Sequence, residues 1–520
     1  GFDIIYCYAG HNLSLAMHFL LPRYNDRTDE YGGSLENRTR FLRELIEDTK
    51  DAVGDTCAVA VRLAVDELLG DDGISHQGEG HDIVSMLAEL PDLWDVNISG
   101  WSHDSATARF EREGYQEKYI KFTKSLTSKP VVGVGRYTTP DAMLRAVQNG
   151  IVDLIGAARP SIADPFLPNK IREDRIEDIR ECIGCNICAS ADELGVPIRC
   201  TQNPTMGEEW RRGWHPEIIH PKKKNKDILI IGGGPAGLES ARALGARGYQ
   251  VALLDARREL GGRVVLESVL PGLIEWRRVV DWRLTQIEKM DNVSLYPGSP
   301  MTAEDILEAG YAHIILATGA EWRKDGVGRN QWKPIKGHNL PHVFTPDDLM
   351  AGKIPDGNVL IYDNDHYYMG SVLAELLLQQ GCQVTFVTPA PLVAYWSQYT
   401  LEQEKIQRRL MKSDVKIFTQ QILEEIHPEK VTLTDSVSGE AIEVNADIVV
   451  LITDRLPNDE LYQALKHALK NSDIQSLCVI GDAEAPNTIA QAVFSGHLTA
   501  QEFGEIPVSD TPFKIERAQV

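Results

Sequence analysis

Residues 227–255 read DILIIGGGPAGLESARALGARGYQVALLD, and this stretch decides how the larger part of the chain folds. Ile228–Ile231 is an apolar run of strand length that passes directly into Gly232-x-Gly234-x-x-Gly237. A helix opens at that turn, and a second apolar run, Val251–Leu254, ends at Asp255. The spacing predicts a βαβ unit. Its glycines allow a tight turn and let a pyrophosphate approach the helix N-terminus. Asp255 stands where such units place the acceptor for a ribose hydroxyl. The expectation is an ADP or FAD site built on Gly232, Gly234, Gly237 and Asp255.

Downstream, Gly261-Gly262, Ala317-Thr318-Gly319 and Gly481-Asp482 add the turns of a flavoprotein-disulfide-reductase-like domain, with Asp482 a further cofactor contact. Another strand–helix unit begins near Asn358 and runs through Val384–Val387. After its first strand stands Asp363-Asn364-Asp365-His366-Tyr367-Tyr368-Met369-Gly370 in place of a glycine loop. Carboxylates repel a pyrophosphate and bulky rings block it, so this second Rossmann-like unit is expected to lack an NAD(P)H site. The expected boundaries are 227–350 with 470–505 for the first nucleotide unit and 351–469 for the second.

Upstream lies a polar connector, His215 to Lys226, whose Lys222-Lys223-Lys224 run reads as a solvated linker. Before it, Cys182-x-x-Cys185-x-x-Cys188 is followed by Cys200. One loop carrying three thiolates, with a fourth farther on, suits a [4Fe–4S] cluster. A Cys₄ zinc site is the alternative, though zinc sites pair two separated CxxC knuckles. Cys7, Cys57, Cys382 and Cys478 are scattered, which is not a disulfide framework and fits a reducing cytoplasm.

The first 175 residues alternate strands (Phe2–Tyr8, Cys57–Val65, Leu93–Ser99, Val131–Gly135, Val152–Ala157) with helices such as Leu35–Ala52 and Pro140–Asn149. Parallel βα units follow. The expected fold class is α/β: the last five βα units of a (β/α)₈ TIM barrel at 1–175, an iron–sulfur segment and linker at 176–226, then the two Rossmann-like domains. An open doubly wound five-strand sheet is the rival. The chain starts inside a strand, without Met, so the expectation is a fragment that has lost three βα units.

The 520 residues are 43% hydrophobic and 25% charged, ordinary for a soluble globular protein. A formal charge of −23 argues against nucleic acid, which requires a basic surface. It suits a cationic substrate or simply an acidic surface. Neither a membrane-spanning helix nor a secretory signal is expected.

Polar residues just past the barrel strands define a candidate active site. Gly135-Arg136 and Ala158-Arg159 follow the last two strands, where barrels cradle phosphate. Arg62, read as lying at a strand end, is a candidate partner for the N1 side of a flavin. Together these favour FMN, with structural ion pairs the alternative for each arginine. Tyr8, His11, Trp101 and Asp104 gather beyond strand ends on one expected face. His and Asp make an oriented general base, and Trp101 offers a face for a cation.

The whole arrangement resembles the trimethylamine dehydrogenase family, which includes dimethylamine and histamine dehydrogenases. The resemblance rests on Tyr8-Ala9-Gly10-His11, the run Tyr24–Ser34, Gly135-Arg136-Tyr137, the run Ala158–Pro165, Cys182-Ile183-Gly184-Cys185-Asn186, and Gly481-Asp482-Ala483-Glu484-Ala485-Pro486. It implies that Tyr8, His11 and Asp104 form the catalytic triad, that Arg62 faces flavin N1, and that Arg159 lies near FMN and cluster. It also implies a flavin-linking Cys in the missing units, structural ADP, a homodimer, and electron-transferring flavoprotein as acceptor, with Tyr395 near its docking surface. Trp101 matches one wall of the family's aromatic bowl, and a second wall, a Trp in trimethylamine dehydrogenase, is Asp192 here. A carboxylate there favours a histamine-like substrate over a methylated amine. The expected reaction is oxidative deamination of a small amine. The alternatives are an NADPH-dependent enone or 2,4-dienoyl-CoA reductase and an inactive fragment.

Overall fold

The computed structural model describes residues 1–221 and 225–504. Lys222-Lys223-Lys224, and the residue that closes the expected 470–505 segment, lie outside the described residues. The chain divides into two compact units, Gly1–Ile176 and Glu177–Val520. No helix among the described residues is long and apolar enough to cross a membrane.

The first unit is built on strands β1 (Ile4–Ala9), β2 (Ala58–Asp66), β3 (Leu93–Ile98), β4 (Val131–Gly133) and β5 (Leu154–Ile155). All pair in parallel in the order β1-β2-β3-β4-β5. Each crossover carries the chain one strand onward in the same sense. A doubly wound sheet reverses its order at a switch point, and this sheet does not. Alternate residues of β2 (Val59, Val61, Leu63, Val65) are fully buried, and burying each such side chain contributes about 1.5–3 kcal/mol. The helix Leu35–Val53 starts where Ser34 accepts from the Asn37 amide, and it packs Leu42 and Ile46 inward. Phe2 is exposed, so the first strand starts later than its apolar sequence suggests. Arg62 lies in the middle of β2 rather than at its end. Register sets Tyr8 beside Arg62, and Arg62 beside Asp95. In-register residues of parallel strands share a face, so the site is seeded by register alone.

In the second unit, β6 (Asp227–Ile231), β7 (Gln250–Asp255), β8 (Val293–Pro297), β9 (His313–Leu316) and, far along the chain, β20 (Ser476–Val479) form a parallel sheet in the order β20-β9-β6-β7-β8. Between β9 and β20 the chain makes β10 (Ala320–Trp322), β11 (Val343–Phe344), β12 (Asn358–Asp363), β13 (Gln383–Val387), β14 (Lys416–Phe418), β15 (Gln421–Ile426), β16 (Lys430–Asp435), β17 (Ala441–Asn445), β18 (Ile448–Ile452) and β19 (Arg455–Pro457). The second parallel sheet runs β11-β18-β12-β13-β14, with β15-β16-β17 as an antiparallel layer and β10-β19 as a two-stranded link.

Both expected inner boundaries shift. β11 lies before residue 351 yet pairs with β18 of the second sheet. The helix Glu460–Ala468 lies before 470 yet packs Leu461, Tyr462 and Leu465 on the core of the first sheet. Hydrophobic packing reaches past the polar residues from which the boundaries were read.

Candidate active site and cofactor sites

The first site lies on one face of the β1–β5 sheet, where Tyr8 and His11 follow each other around a tight turn. His11 and Asn12 both adopt left-handed backbone, with φ of 57° and 58°. Non-glycine residues hold that conformation at a cost, and it is common at functional sites. It turns the buried His11 ring so that Nδ1 bonds the Tyr8 hydroxyl and Nε2 lies 2.9 Å from Asp104 Oδ2. Asp104 ends the single helical turn Trp101–Asp104. The His11 and Trp101 rings stand nearly perpendicular, at 80°, with centroids 5.3 Å apart.

Asp104 is braced on every side. Gln116 Nε2 donates to its Oδ1 at 2.7 Å, and Arg62 Nη2 lies 3.7 Å from Oδ2. The Arg159 guanidinium donates to the carbonyls of Ser105, Ala106 and Asp104. Burial alone would push the Asp104 carboxyl up, but His11, Gln116 and Arg62 outweigh it and hold it below the usual carboxylate range. Tyr8 is shifted upward, first by burial, with Arg62 opposing and Asp104 and Asp95 adding. The result is an ionised carboxylate, an imidazole and a phenol in line, which can accept and hold a proton.

Sequence reasoning missed Asp95, Asn97 and Gln116. Arg62 Nη1 donates to Asp95 Oδ2 at 3.0 Å, and Asn97 Nδ2 lies 2.8 Å from His11 Nε2. The signal was present: Asp95 and Asn97 alternate within the apolar run Leu93–Ile98, which places two polar side chains on one face of a buried strand. Arg62 Nε, Asp95 Oδ1 and Asn97 Oδ1 are buried with no hydrogen-bond partner. One donor and two acceptors left open on this face match the edge of a polar heterocycle, so the residues fit a flavin. Of the expected phosphate cradle, Gly135 (φ 157°) and Arg136 follow β4, and Arg136 donates to the Glu111 carbonyl at 2.7 Å. Ala158 and Arg159 open a short helix after β5.

In the second unit, the glycine turn after β6 leads into the helix Pro235–Ala246. A Cβ on Gly237 would lie 1.9 Å from the Gly232 carbonyl oxygen, so only glycine fits there. A Cβ on Gly234 would meet nothing nearer than 4.0 Å, which leaves the turn open to a ligand. Asp255 accepts from the amides of Gly233 (2.6 Å) and Arg257 (2.7 Å), fixing the turn and leaving acceptor capacity for a ribose. Asp482 accepts from Arg455 Nη1 at 2.5 Å. A cavity of about 1170 Å³ runs past Gly234, Asp255, Thr318 and Asp482 and reaches Cys185. Room and chemistry fit a nucleotide.

Cys182 and Cys185 lie on an irregular loop in which Gly184 and Asn186 are both left-handed, and Cys188 lies on the helix Ile187–Glu193 that follows. Burial first, then the neighbouring thiols Cys188 and Cys200, pushes the Cys185 thiol up, although Thr201 opposes it. Cys200 is likewise pushed up to about 11, by burial first and Cys182 among the rest. The thiols thus sense one another. Among the described residues no group of three or more His, Cys, Asp or Glu side chains converges closely enough to hold a single metal ion. Four cysteine thiols, three of them at Cys182, Cys185 and Cys188, are the ligand type that holds a cubane, so the chemistry of the donor set fits a cluster.

A buried network anchors this loop. Arg283, with no exposed surface, donates to Glu239 Oε2 (2.9 Å), to Gln202 Oε1 (3.0 Å), to the Gln202 carbonyl (3.1 Å) and to the Val279 carbonyl (2.8 Å). Gln202 in turn donates to the carbonyl of Glu181 at 3.1 Å. Asp192 is exposed on the helix that carries Cys188 and belongs to this second unit, whereas Trp101 belongs to the first. Tyr395 opens a short helical turn, Tyr395–Gln398.

Asp363, the last residue of β12, is fully buried, and a Cβ on Gly370 would lie 2.8 Å from its carboxyl carbon. Burial, then Asp365, pushes the Asp363 carboxyl well above the usual range. The carboxyl thus packs tightly against the first turn of the helix Tyr368–Gln379.

Residues 1–178 match the NADH:flavin oxidoreductase / NADH oxidase family, and residues 226–476 match the pyridine nucleotide-disulphide oxidoreductase family. Dimethylamine dehydrogenase of Hyphomicrobium sp. (strain x) is 42% identical over 99% of this chain and 75% of its own length. The chain belongs to the trimethylamine dehydrogenase family. Two solved structures agree with this family assignment. Histamine dehydrogenase from Rhizobium sp. 4-9 superposes with a TM-score of 0.97 at 46% identity, over 100% of this chain and 76% of that one. The 6-hydroxypseudooxynicotine amine oxidase of Pseudomonas geniculata N1 gives a TM-score of 0.95 at 49% identity, over 97% and 76%. As a member of this family the chain is an α/β flavin oxidoreductase.

Proposed function

We propose that this protein oxidatively deaminates a small amine. In this reading the β1–β5 units are the last five of an eight-unit FMN barrel, the cysteine loop carries a [4Fe–4S] cluster, and the glycine turn after β6 carries ADP. The observation that carries it is the line Tyr8–His11–Asp104 with Trp101 against the imidazole.

Trp101 offers an electron-rich face to a substrate ammonium. Tyr8, bonded to His11 Nδ1, is the group placed to take the ammonium proton, and Asp104 stabilises the positive charge that reaches the imidazole. Deprotonation matters because an ammonium has no lone pair with which to form a carbon–nitrogen double bond. Bound FMN supplies the two-electron acceptor for the adjacent C–H bond. Water then releases an aldehyde and ammonia from the iminium. Arg62 would hold the flavin, and Cys182, Cys185, Cys188 and Cys200 would hold the cluster, a one-electron carrier suited to an external flavoprotein acceptor. The protein acts in this reading as a cytoplasmic homodimer. The amine named for the histamine dehydrogenase relative, a cation with a second polar group, is the favoured substrate type, with methylated amines second.

The buried Asp363 carboxyl supports reading the second Rossmann-like unit as closed to NADPH. The test is anaerobic mixing of the FMN-loaded protein with histamine, dimethylamine or NADPH while the flavin absorbance is followed. Bleaching by an amine but not by NADPH is expected. Rapid bleaching by NADPH alone would assign the chain to the enone reductases instead.

A further inference from the structure

Arg62 brings one positive charge to the site, and two carboxylates compete for it. Asp95 Oδ2 takes Nη1 at 3.0 Å, while Asp104 Oδ2 stands 3.7 Å from Nη2. Asp95 wins on distance because strand register places it directly beside Arg62. It is 4% exposed, its Oδ1 has no hydrogen-bond partner, and Arg62 Nε beside it has none either. The triad Tyr8–His11–Asp104 makes its bonds without Asp95. A buried carboxylate beside a catalytic arginine that the triad does not use calls for an explanation, since burying such a charge is costly unless it is fully partnered.

We propose that Asp95 is a positioning residue that divides the Arg62 charge: it anchors the guanidinium through Nη1, keeps Nε and the remaining N–H groups for bound FMN, and sets the flavin potential and the basicity of Tyr8 by its own negative charge. The inference rests on the reading of this face as a flavin site and adds to it the group that tunes it. Two consequences follow from Coulomb's law in a partly dry site. A negative charge beside Arg62 opposes the negative charge that reduction brings to a flavin, so Asp95 makes the flavin harder to reduce. The same charge disfavours tyrosinate, so Asp95 holds a proton on Tyr8. The titratable and charged groups facing Asp95 are Tyr6 and Tyr8 from β1, Arg62 from β2, and His11 and Asp104 beyond the strand ends.

The test replaces the charge and keeps the shape. In the FMN-loaded protein, Asp95→Asn is compared with Asp95→Glu, which restores the charge, and with Asp95→Ser, which removes it in less volume. The first readout is the redox equilibrium of the flavin against a reference dye. The second is the pH midpoint of the tyrosinate difference absorbance that disappears in Tyr8→Phe. Asp95→Asn and Asp95→Ser are expected to shift the dye equilibrium several-fold towards reduced flavin and to move the Tyr8 midpoint to lower pH. Asp95→Glu is expected to stay near the parent on both. If the neutral variants lose thermal stability yet leave both midpoints where they were, Asp95 is a structural ion-pair partner and the inference is overturned. Neither readout uses an amine. Failure of every amine to bleach the parent flavin would therefore remove the proposed reaction without touching this result.

Discussion

Replacing Arg283 by Met perturbs the buried network that ties the nucleotide helix to the cysteine loop. Methionine fills much of the same volume but removes donors to Glu239, both Gln202 oxygens and the Val279 carbonyl. Glu239 keeps Arg242 at 2.6 Å and His497 at 2.9 Å, but it stays fully buried with one cation fewer. Breaking one side of a buried pair costs about 3–5 kcal/mol. With an unfolding entropy of roughly 2.1 cal/mol/K per residue, a unit spanning Glu177–Val520 should lose about 4–7 °C in Tm. The assay is differential scanning calorimetry of parent, Arg283→Met, Glu239→Gln and the double variant, with iron content measured on each. The double variant should be less damaged than the sum of the singles, because it removes both partners of the buried Arg283–Glu239 pair together. A loss below about 1 kcal/mol for Arg283→Met, or strict additivity in the double variant, would refute the reasoning.

Asp104→Asn should lower kcat/KM for the amine by about 10²–10⁴-fold, read from steady-state kinetics. Asp104 is held below its ordinary value, so its contribution to stability is full above the unfolded value near 3.8 and is lost as pH falls through the lower folded value. Asp104→Asn should flatten acid unfolding of the Gly1–Ile176 unit in that range. His366, whose pKa is pushed down to about 4 by burial first and Arg329 second, stays neutral in the fold. The unfolded chain takes up its proton first, so stability is full above pH 6.5 and is lost between 6.5 and about 4. His366→Asn should remove that slope in denaturant titrations across the window. Gly237→Ala should weaken ADP binding by more than about tenfold, by the clash equivalent of a few kcal/mol, measured by titration calorimetry. Cys188→Ser should lose cluster iron in a colorimetric iron assay, while Cys57→Ser should keep it.

Much of this was legible from residues alone. The glycine turn and Asp255 announced β6, its helix and β7, because close backbone packing leaves no substitute for glycine at Gly237. The cysteine spacing marked out the segment proposed to hold a cluster for a similar reason, since chemistry fixes residue type and order. Asp95 was not legible in function, because its meaning depends on which residue of β2 lies beside it, and register is a tertiary fact. Gln202 and Arg283 were hidden more deeply. They lie far apart in sequence, and a lone buried arginine leaves no local pattern. The boundaries at 350 and 469 failed because polar surface residues mark where the chain turns, not where its apolar neighbours pack.

The bonds of Gln202 to Glu181 and to Arg283 bear on how the cysteine loop would acquire the iron of the proposed cluster. They fasten the two ends of a loop that starts beside Cys182 and ends beyond Cys200, so protein groups alone hold the ends together. Closing a flexible loop of that length costs about 2.5 kcal/mol of chain entropy. Here the cost falls on folding of the nucleotide unit rather than on metal capture. Iron delivered to the folded chain meets a preshaped nest of thiols, whereas iron offered to a chain cut free at Gln202 would have to gather them itself. On that reading the folded nucleotide domain precedes the proposed cluster.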